Sequence, residues 1–215
     1  EGVCLNVVRG VDFLGRVSAG NAPDLKDKDV VVVGGGNTAM DAARTSVRLG
    51  ARSVKIVYRR GRSEMPADKA EIEDAEHEGV EMCLMMNPVS VGMREGRTVL
   101  TLIRMEYGEK DESGRPSVSE VPGSEFEMEA DYVIAAIGQT QDLSFVSESL
   151  PLNVKRNMLV VDEKTFATNI PGVFAAGDVV TGPKTAIQAI AGGRFAARSI
   201  DQYLRGEPIT PAPEV

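Results

Sequence analysis

Three clusters of residues have the types and spacing to do chemistry. The first is Gly34-x-Gly36-x-x-Ala39, which follows the all-valine run Val30 to Val33 and opens a stretch with Met40, Ala43 and Val47 at helical spacing. In such a turn the first glycine permits the tight bend and the second lets the backbone approach a pyrophosphate. The third small residue lets helix and strand pack closely. The free N–H groups and dipole of the helix start then hold phosphate, so Gly34, Gly35, Gly36, Asn37 and Thr38 are candidate cofactor-binding residues. The second cluster, Tyr58-Arg59-Arg60-Gly61-Arg62, ends the next strand-like run about 25 residues after Gly34. An NAD site offers a carboxylate there for the ribose 2′-hydroxyl. Two guanidiniums instead suit a 2′-phosphate, through charge-assisted and bidentate bonds. Arg59 and Arg60 therefore favour NADP(H), the alternative being a solvated basic loop that balances the acidic segment behind it. The third cluster is Gly177-Asp178, which ends the run Thr168 to Asp178 and which, on residue types alone, could be only a turn.

These residues need elements to position them. Strand (30–33), glycine turn, helix from Asn37 to Gly50 and strand (53–58) form a βαβ unit with parallel strands and a right-handed crossover. Before it, apolar residues from Val3 to Val17 have helical spacing, and Gly20 is the expected stop. After it, Pro66 at a first helical position, with Asp68 and Glu71 in the first turn, predicts a helix up to Gly79. A strand over 80–85 follows, and then an antiparallel meander from Pro88 with turn signals at Glu95-Gly96 and Ser113-Gly114. Tyr132 to Ile137 reads as a buried strand ending at Gly138. Further on, 158–161 and 173–176 read as short strands. A long helix runs from Thr185 to about Leu204, and a proline-rich tail over 206–215 is expected to be loose.

Composition removes several function classes. With 24 basic and 32 acidic residues in 215 the net charge is −8, unfavourable for a nucleic-acid binder held by phosphate contacts. No apolar stretch is long enough for a bilayer, and no signal peptide is apparent, so a cytoplasmic location is expected. Two cysteines, Cys4 and Cys83, are too few for a disulfide scaffold, a four-thiolate zinc site or a cluster, and no metal site is expected. The single histidine, His77, lies in a polar acidic stretch without an acid–base partner. The carboxylates from Glu64 to Glu81 read as a solvated face or a docking face. Asp41 and Arg44 could pair with each other or turn toward the nucleotide.

The motifs Val32-Val-Gly-Gly-Gly-Asn-Thr-Ala-Met-Asp-Ala-Ala-Arg44, Ile56-Val-Tyr-Arg-Arg60, Glu64-Met-Pro-Ala67, Gly123-Ser-Glu-Phe126, Ile137-Gly138 and Gly172 to Asp178 together carry a resemblance that covers about residues 3 to 205. The chain resembles the C-terminal part of the flavin- and NADPH-binding small subunit of glutamate synthase and its relatives, within the pyridine nucleotide-disulfide oxidoreductase superfamily. The resemblance implies an α/β fold: a Rossmann-like NAD(P)-binding domain of the glutathione-reductase type with an antiparallel meander, plus the C-terminal half of a FAD-binding domain. The corresponding division is 1–28 as leading helix and linker, 29–138 as NADP(H) domain, 139–205 as FAD-domain half and 206–215 as tail. It further implies that Asp178, beside Gly177, bonds the flavin ribityl chain. Thr185 and Ala186 would approach the isoalloxazine, and Gly138 would belong to the cofactor-binding set.

The departures from the family matter equally. The earlier glycine motif for the ADP half of FAD and the N-terminal cysteine-rich region are not in this sequence, and the chain begins at Glu1. It therefore reads as a fragment whose expected partners are the missing N-terminal FAD and iron–sulfur region and a catalytic large subunit. On this reading FAD belongs to the parent protein and the fragment does not retain it. Without a Cys-x-x-Cys pair, reduction of a disulfide substrate is not expected. The expected parent activity is hydride transfer between NADPH and FAD, with no side chain acting as acid, base or nucleophile. The alternative is a module that binds NADP without turnover. A dehydrogenase acting directly on a small substrate is the third possibility, but a Tyr-x-x-x-Lys relay is lacking.

Overall fold

The computed structural model describes residues 6–110 and 116–211, which fall into two units dividing between Gly138 and Gln139. The first unit contains, in chain order, β1 (Val7–Arg9), α1 (Gly10–Ser18), β2 (Asp29–Val33), α2 (Asn37–Arg48), β3 (Ser53–Tyr58), α3 (Lys69–His77), β4 (Glu81–Leu84), β5 (Met86–Arg94), β6 (Arg97–Lys110), β7 (Pro116–Glu120), β8 (Phe126–Ala130) and β9 (Tyr132–Ala135). Five strands form a parallel sheet in the order β1-β9-β2-β3-β4. The valine run is its centre. Val30 and Val32 pack with Phe13, Met40, Ala43 and Ile72 of the helices, whereas Val31 and Val33 pack with Leu100, Leu102 and Ala130 of the meander. Burial on both faces is what an unbroken apolar strand requires, and each buried valine stabilises the sheet by roughly 1.5–3 kcal/mol.

The structure differs from the sequence expectation at two places here. Residues 7–9 of the expected first helix form β1 instead, because Val7 and Val8 align with Val133 and Ile134 in a parallel ladder. Only from Gly10 does the helical spacing take over, with Phe13 fully buried; β1 and α1 are thereby part of the first unit's sheet and core, while Cys4 and the rest of residues 1–5 lie outside the described residues. Similarly, Pro66 does not start a helix. The Ala67 amide donates to Gly35 O (3.1 Å) and the Asp68 amide to Asn37 Oδ1 (2.9 Å), which holds this segment against the glycine turn. Helix α3 therefore starts at Lys69, with the Asp68 carboxylate capping the Ala70 amide (2.8 Å).

Strand β6 organises the meander, pairing antiparallel with β5, β7 and β8. The β5–β6 connection is the two-residue turn Glu95-Gly96, both with positive φ, between paired Arg94 and Arg97. The expected turn at Ser113-Gly114 lies outside the described residues.

The second unit holds a small hairpin, β10 (Val154–Lys155) with β11 (Met158–Leu159), then α4 (Asp178–Thr181) and α5 (Ala186–Leu204). The expected strand over 173–176 reduces to a single bridge between Ala167 and Phe174. No neighbouring strand among the described residues extends its ladder, and Phe174 packs edge-on against Tyr203 at 5.9 Å instead. The tail is less loose than expected as far as Pro211: Arg198 and Gln202 both donate to Thr210 Oγ1, and the Thr210 amide returns a bond to Gln202 Oε1. Residues 212–215 lie outside the described set.

Candidate cofactor-binding site

The turn between β2 and α2 is fixed from both sides. The Gly34 amide donates to Val57 O (3.0 Å) and the Ala136 amide to Val33 O (2.7 Å). Gly34 has φ +140°, and a Cβ there would lie 2.2 Å from Ala136 O, so no other residue fits. A Cβ on Gly35 would meet the Tyr58 ring at 2.7 Å. Gly36 is different: its Cβ position is open except for Pro66 Cγ at 3.9 Å. The first two glycines are thus required by the protein itself, while the third leaves free space over the start of α2. Ala39 is fully buried against the sheet. The amides of Gly35, Gly36, Asn37 and Thr38 have no acceptor among the described residues, the condition of a helix start that receives an anion. Asn37 also tethers the segment around Pro66 through its side-chain oxygen.

The two arginines at the end of β3 go different ways. Arg59 is exposed and forms no ion pair among the described residues. Arg60 is only 9% exposed, and its Nη1 donates to Pro116 O (2.5 Å) and lies 3.4 Å from Glu64 Oε1. The two guanidiniums offered to a 2′-phosphate are therefore placed differently. Burial against the meander turns Arg60 into a loop anchor, leaving Arg59 as the outward cation. Arg62 forks onto Glu76 of α3 (3.0 and 2.8 Å), so for this residue the charge-balancing alternative holds. Glu64, which by sequence reads as part of a solvated or docking face, instead meets Tyr107, a residue that no local sequence signal marks. The Tyr107 hydroxyl donates to Glu64 and accepts from the Gly61 amide (3.0 Å), and Glu64 accepts from that amide too (3.2 Å). The bond from Tyr107 holds the Glu64 carboxyl below its ordinary range, and the same bond pushes the Tyr107 hydroxyl up.

Other sequence-level candidates resolve plainly. Arg44 pairs neither with Asp41 nor toward the turn; it reaches Asp74 of α3 (3.1 Å) and Glu78 just past that helix (2.8 Å). Lys55, Arg48 and Arg62 join it in neutralising the acidic run over 64–81. His77 is exposed. Cys83 is buried, and desolvation raises its thiol pKa, the opposite of an activated nucleophile.

In the second unit, Gly177 has φ +77° and ψ −156°, a region open essentially to glycine alone, and it delivers the chain into α4. Asp178 accepts from the Gln141 side chain at its carbonyl (2.9 Å) and from the Lys184 amide at its carboxylate (3.4 Å). Thr185 caps α5 reciprocally with Gln188, and Ala186 is the exposed first residue of that helix. Gly138 has φ +104° and closes the first unit. Among the described residues no three His, Cys, Asp or Glu side chains are grouped to hold a metal, and no helix is long and apolar enough to cross a membrane.

Comparison with known proteins gives these features a setting. Residues 1–193 match the family described as "Pyridine nucleotide-disulphide oxidoreductase". The NADP(+)-dependent formate dehydrogenase subunit beta of Moorella thermoacetica is 46% identical over 96% of this chain, which is 29% of that protein. The glutamate synthase [NADPH] small chain of Azospirillum brasilense is 40% identical over 96% of this chain and 45% of that protein. Less than half the length of these relatives is therefore spanned. Among solved structures, T. acidophilum thioredoxin reductase superposes with a TM-score of 0.68 at 21% identity, covering 94% of this chain and 58% of that one. Mycobacterium tuberculosis FprA in complex with NADPH gives 0.66 at 19% identity, covering 93% and 58%. At such identities these superpositions speak for the fold: a Rossmann-like α/β architecture.

Proposed function

The chain belongs to the pyridine nucleotide-disulphide oxidoreductase family, and from that premise we propose that it is the NADPH-binding portion of a flavin-dependent oxidoreductase resembling the glutamate synthase small subunit. The observation that carries this reading is the glycine turn, where four amides without an acceptor among the described residues and the open space at Gly36 start α2. NADP(H) fits this cradle, with its pyrophosphate over Gly34 to Thr38 and its 2′-phosphate at Arg59. The names of the relatives from Moorella and Azospirillum, both of which specify NADP or NADPH, support the same choice.

FAD is the second cofactor of the parent enzyme on this reading. Gly177, Asp178, Thr185 and Ala186 would hold it, and Gly138, in the first unit, is kept separately as a proposed cofactor-binding residue. The Asp178 carboxylate offers acceptors for hydroxyl groups, and the start of α5 offers a dipole that favours negative charge. The bound cofactors supply hydride transfer between nicotinamide and flavin. The chain's residues bind and orient, and none is needed as acid, base or nucleophile.

A second reading, that the isolated chain is a binding module without turnover, is favoured by α5. Ile187, Ile190 and Leu204 stand out from that helix with 79%, 64% and 77% of their surfaces exposed. An apolar helix surface of this kind suits coverage by the remainder of a parent protein.

Calorimetric titration of NADP⁺ and NAD⁺ into the chain, with Arg59→Ala as control, tests the proposal. NADP⁺ binds more tightly, and the gap closes in the variant. Equal binding of both nucleotides by the unaltered chain would reject the Arg59 assignment, and binding of neither would reject the cradle.

A further inference from the structure

Arg59 lies between two residues whose side chains are both committed elsewhere. The Tyr58 hydroxyl donates to Glu64 O (3.0 Å), and the Arg60 guanidinium is buried on Pro116 O and Glu64. The loop behind Arg59 is thus held by its own strand and by the meander. The meander supplies two separate grips. One is the backbone carbonyl of Pro116 on β7, and the other is the hydroxyl of Tyr107 on β6. Tyr107 reaches across to bond both the Gly61 amide and the Glu64 carboxylate, and a Cβ on Gly61 would lie 2.5 Å from its oxygen. The Met85 amide adds a bond to Arg60 O (3.3 Å), fixing the backbone on the other side.

We infer that Tyr107, acting through Glu64 and Gly61, is a positioning residue for nucleotide selection: it holds the 60–64 loop so that Arg59 faces the 2′-phosphate. This rests on the proposed role of Arg59. Arg59 alone would be a long side chain on a mobile tether, losing rotamer and backbone freedom on meeting the phosphate. Bracing the loop removes part of that cost before the nucleotide arrives, which is how pre-organisation raises affinity. The gain is specific to NADP⁺, since NAD⁺ has no 2′-phosphate for Arg59 to meet.

The test is Tyr107→Phe, which keeps the half-exposed ring and deletes only the hydroxyl. NADP⁺ and NAD⁺ affinities are measured on the unaltered chain, on Tyr107→Phe, on Arg59→Ala and on the double variant. The expected result is a drop of about threefold to tenfold in the NADP⁺/NAD⁺ affinity ratio for Tyr107→Phe, the scale of one ordinary hydrogen bond. NAD⁺ binding stays unchanged, and Tyr107→Phe has no further effect on the ratio once Arg59 is alanine. A merely structural hydroxyl would weaken both nucleotides alike and would do so in either background. Glu64→Gln serves as a second probe, because it removes the charge on which Tyr107 and Arg60 converge while keeping shape. A clear NADP⁺ preference that survives both Tyr107→Phe and Glu64→Gln overturns the positioning role. A chain with no NADP⁺ preference to begin with instead overturns the Arg59 reading on which it stands.

Discussion

Alanine at Gly34 and alanine at Gly36 should separate the fold of the turn from its ligand. At Gly34 the added Cβ would stand 2.2 Å from Ala136 O, so one backbone must retreat by more than 1 Å to reach ordinary contact at 3.4 Å. The φ of +140° costs a non-glycine residue about 1–3 kcal/mol, and the overpacking adds about 1–3 kcal/mol. Retreat would also strain the bond from the Ala136 amide to Val33 O, worth about 1 kcal/mol. The sum is roughly 3–7 kcal/mol, a large part of a domain's stability. With an m-value of about 2 kcal/mol/M, the urea midpoint falls by roughly 1.5–3.5 M. At Gly36 the Cβ meets nothing nearer than Pro66 at 3.9 Å, and φ is −94°, so Gly36→Ala costs about 1 kcal/mol or less as an N-cap change. Its methyl, however, occupies the space over the free amides and displaces at least one charge-assisted bond to phosphate. NADP⁺ affinity should fall by about tenfold to a hundredfold. Urea denaturation followed by circular dichroism, with calorimetry of NADP⁺, reads both quantities on the same proteins. An unaltered midpoint in Gly34→Ala, or unaltered NADP⁺ affinity in Gly36→Ala, would refute this division of labour.

Asp29 supplies a pH test. The hydrogen bond from Arg52 is the main cause that lowers its pKa to about 2, helped by Ser53 and Arg97. A depressed carboxylate contributes stability above its unfolded pKa near 4 and loses it as pH falls through about 2. The shift corresponds to about 2 kcal/mol, and Asp29→Asn should flatten the urea midpoint's dependence on pH across that window. Arg60→Ala leaves the Glu64 carboxylate without its nearby cation and removes a bond to the β7 backbone, so thermal unfolding should show a loss of about 1–3 kcal/mol. Arg59→Ala, on an exposed side chain, should change the same measurement by less than about 0.5 kcal/mol. Thr185→Ala deletes the reciprocal cap on α5 and should cost about 1 kcal/mol, read as faster amide exchange in its first turn.

The elements that read well from sequence are those whose signals are local. The valine run, the glycine turn and the helical spacing after Asn37 lie next to one another, and they fold into adjacent β2 and α2. The turn Glu95-Gly96 was legible for the same reason. Errors arose where a distant partner decides. Val7 and Val8 fit a helix by spacing and become a strand because β9, over 120 residues away, presents a ladder. Pro66 fits a helix start, yet bonds from Ala67 and Asp68 to Gly35 and Asn37 delay the helix to Lys69. Arg60 has the same charge as Arg59, and only the approach of Pro116, 56 residues later, distinguishes the two. No pattern within five residues carries that information.

The same reasoning explains why the meander, whose detailed course was hard to read, matters for the proposed site. A parallel sheet with one helical face can present a glycine turn without help, because Val57 of β3 and Ala136, just past β9, lock that turn by main-chain bonds. The loop after β3 has no such ladder. Its backbone leaves the sheet at Tyr58, and outward charge on Arg59 gives it no reason to fold inward. Besides the Tyr58 hydroxyl on Glu64 O and the Met85 amide on Arg60 O, what stops it from spreading is the far half of β6 with β7, through one hydroxyl and one carbonyl. Pyrophosphate binding would then be a property of the βαβ unit, and the choice between NADP and NAD a property of its attachment to the meander. A substitution in β6 or β7 should therefore alter selectivity while leaving the affinity for NAD⁺ intact, and one in β2 or β9 should alter both.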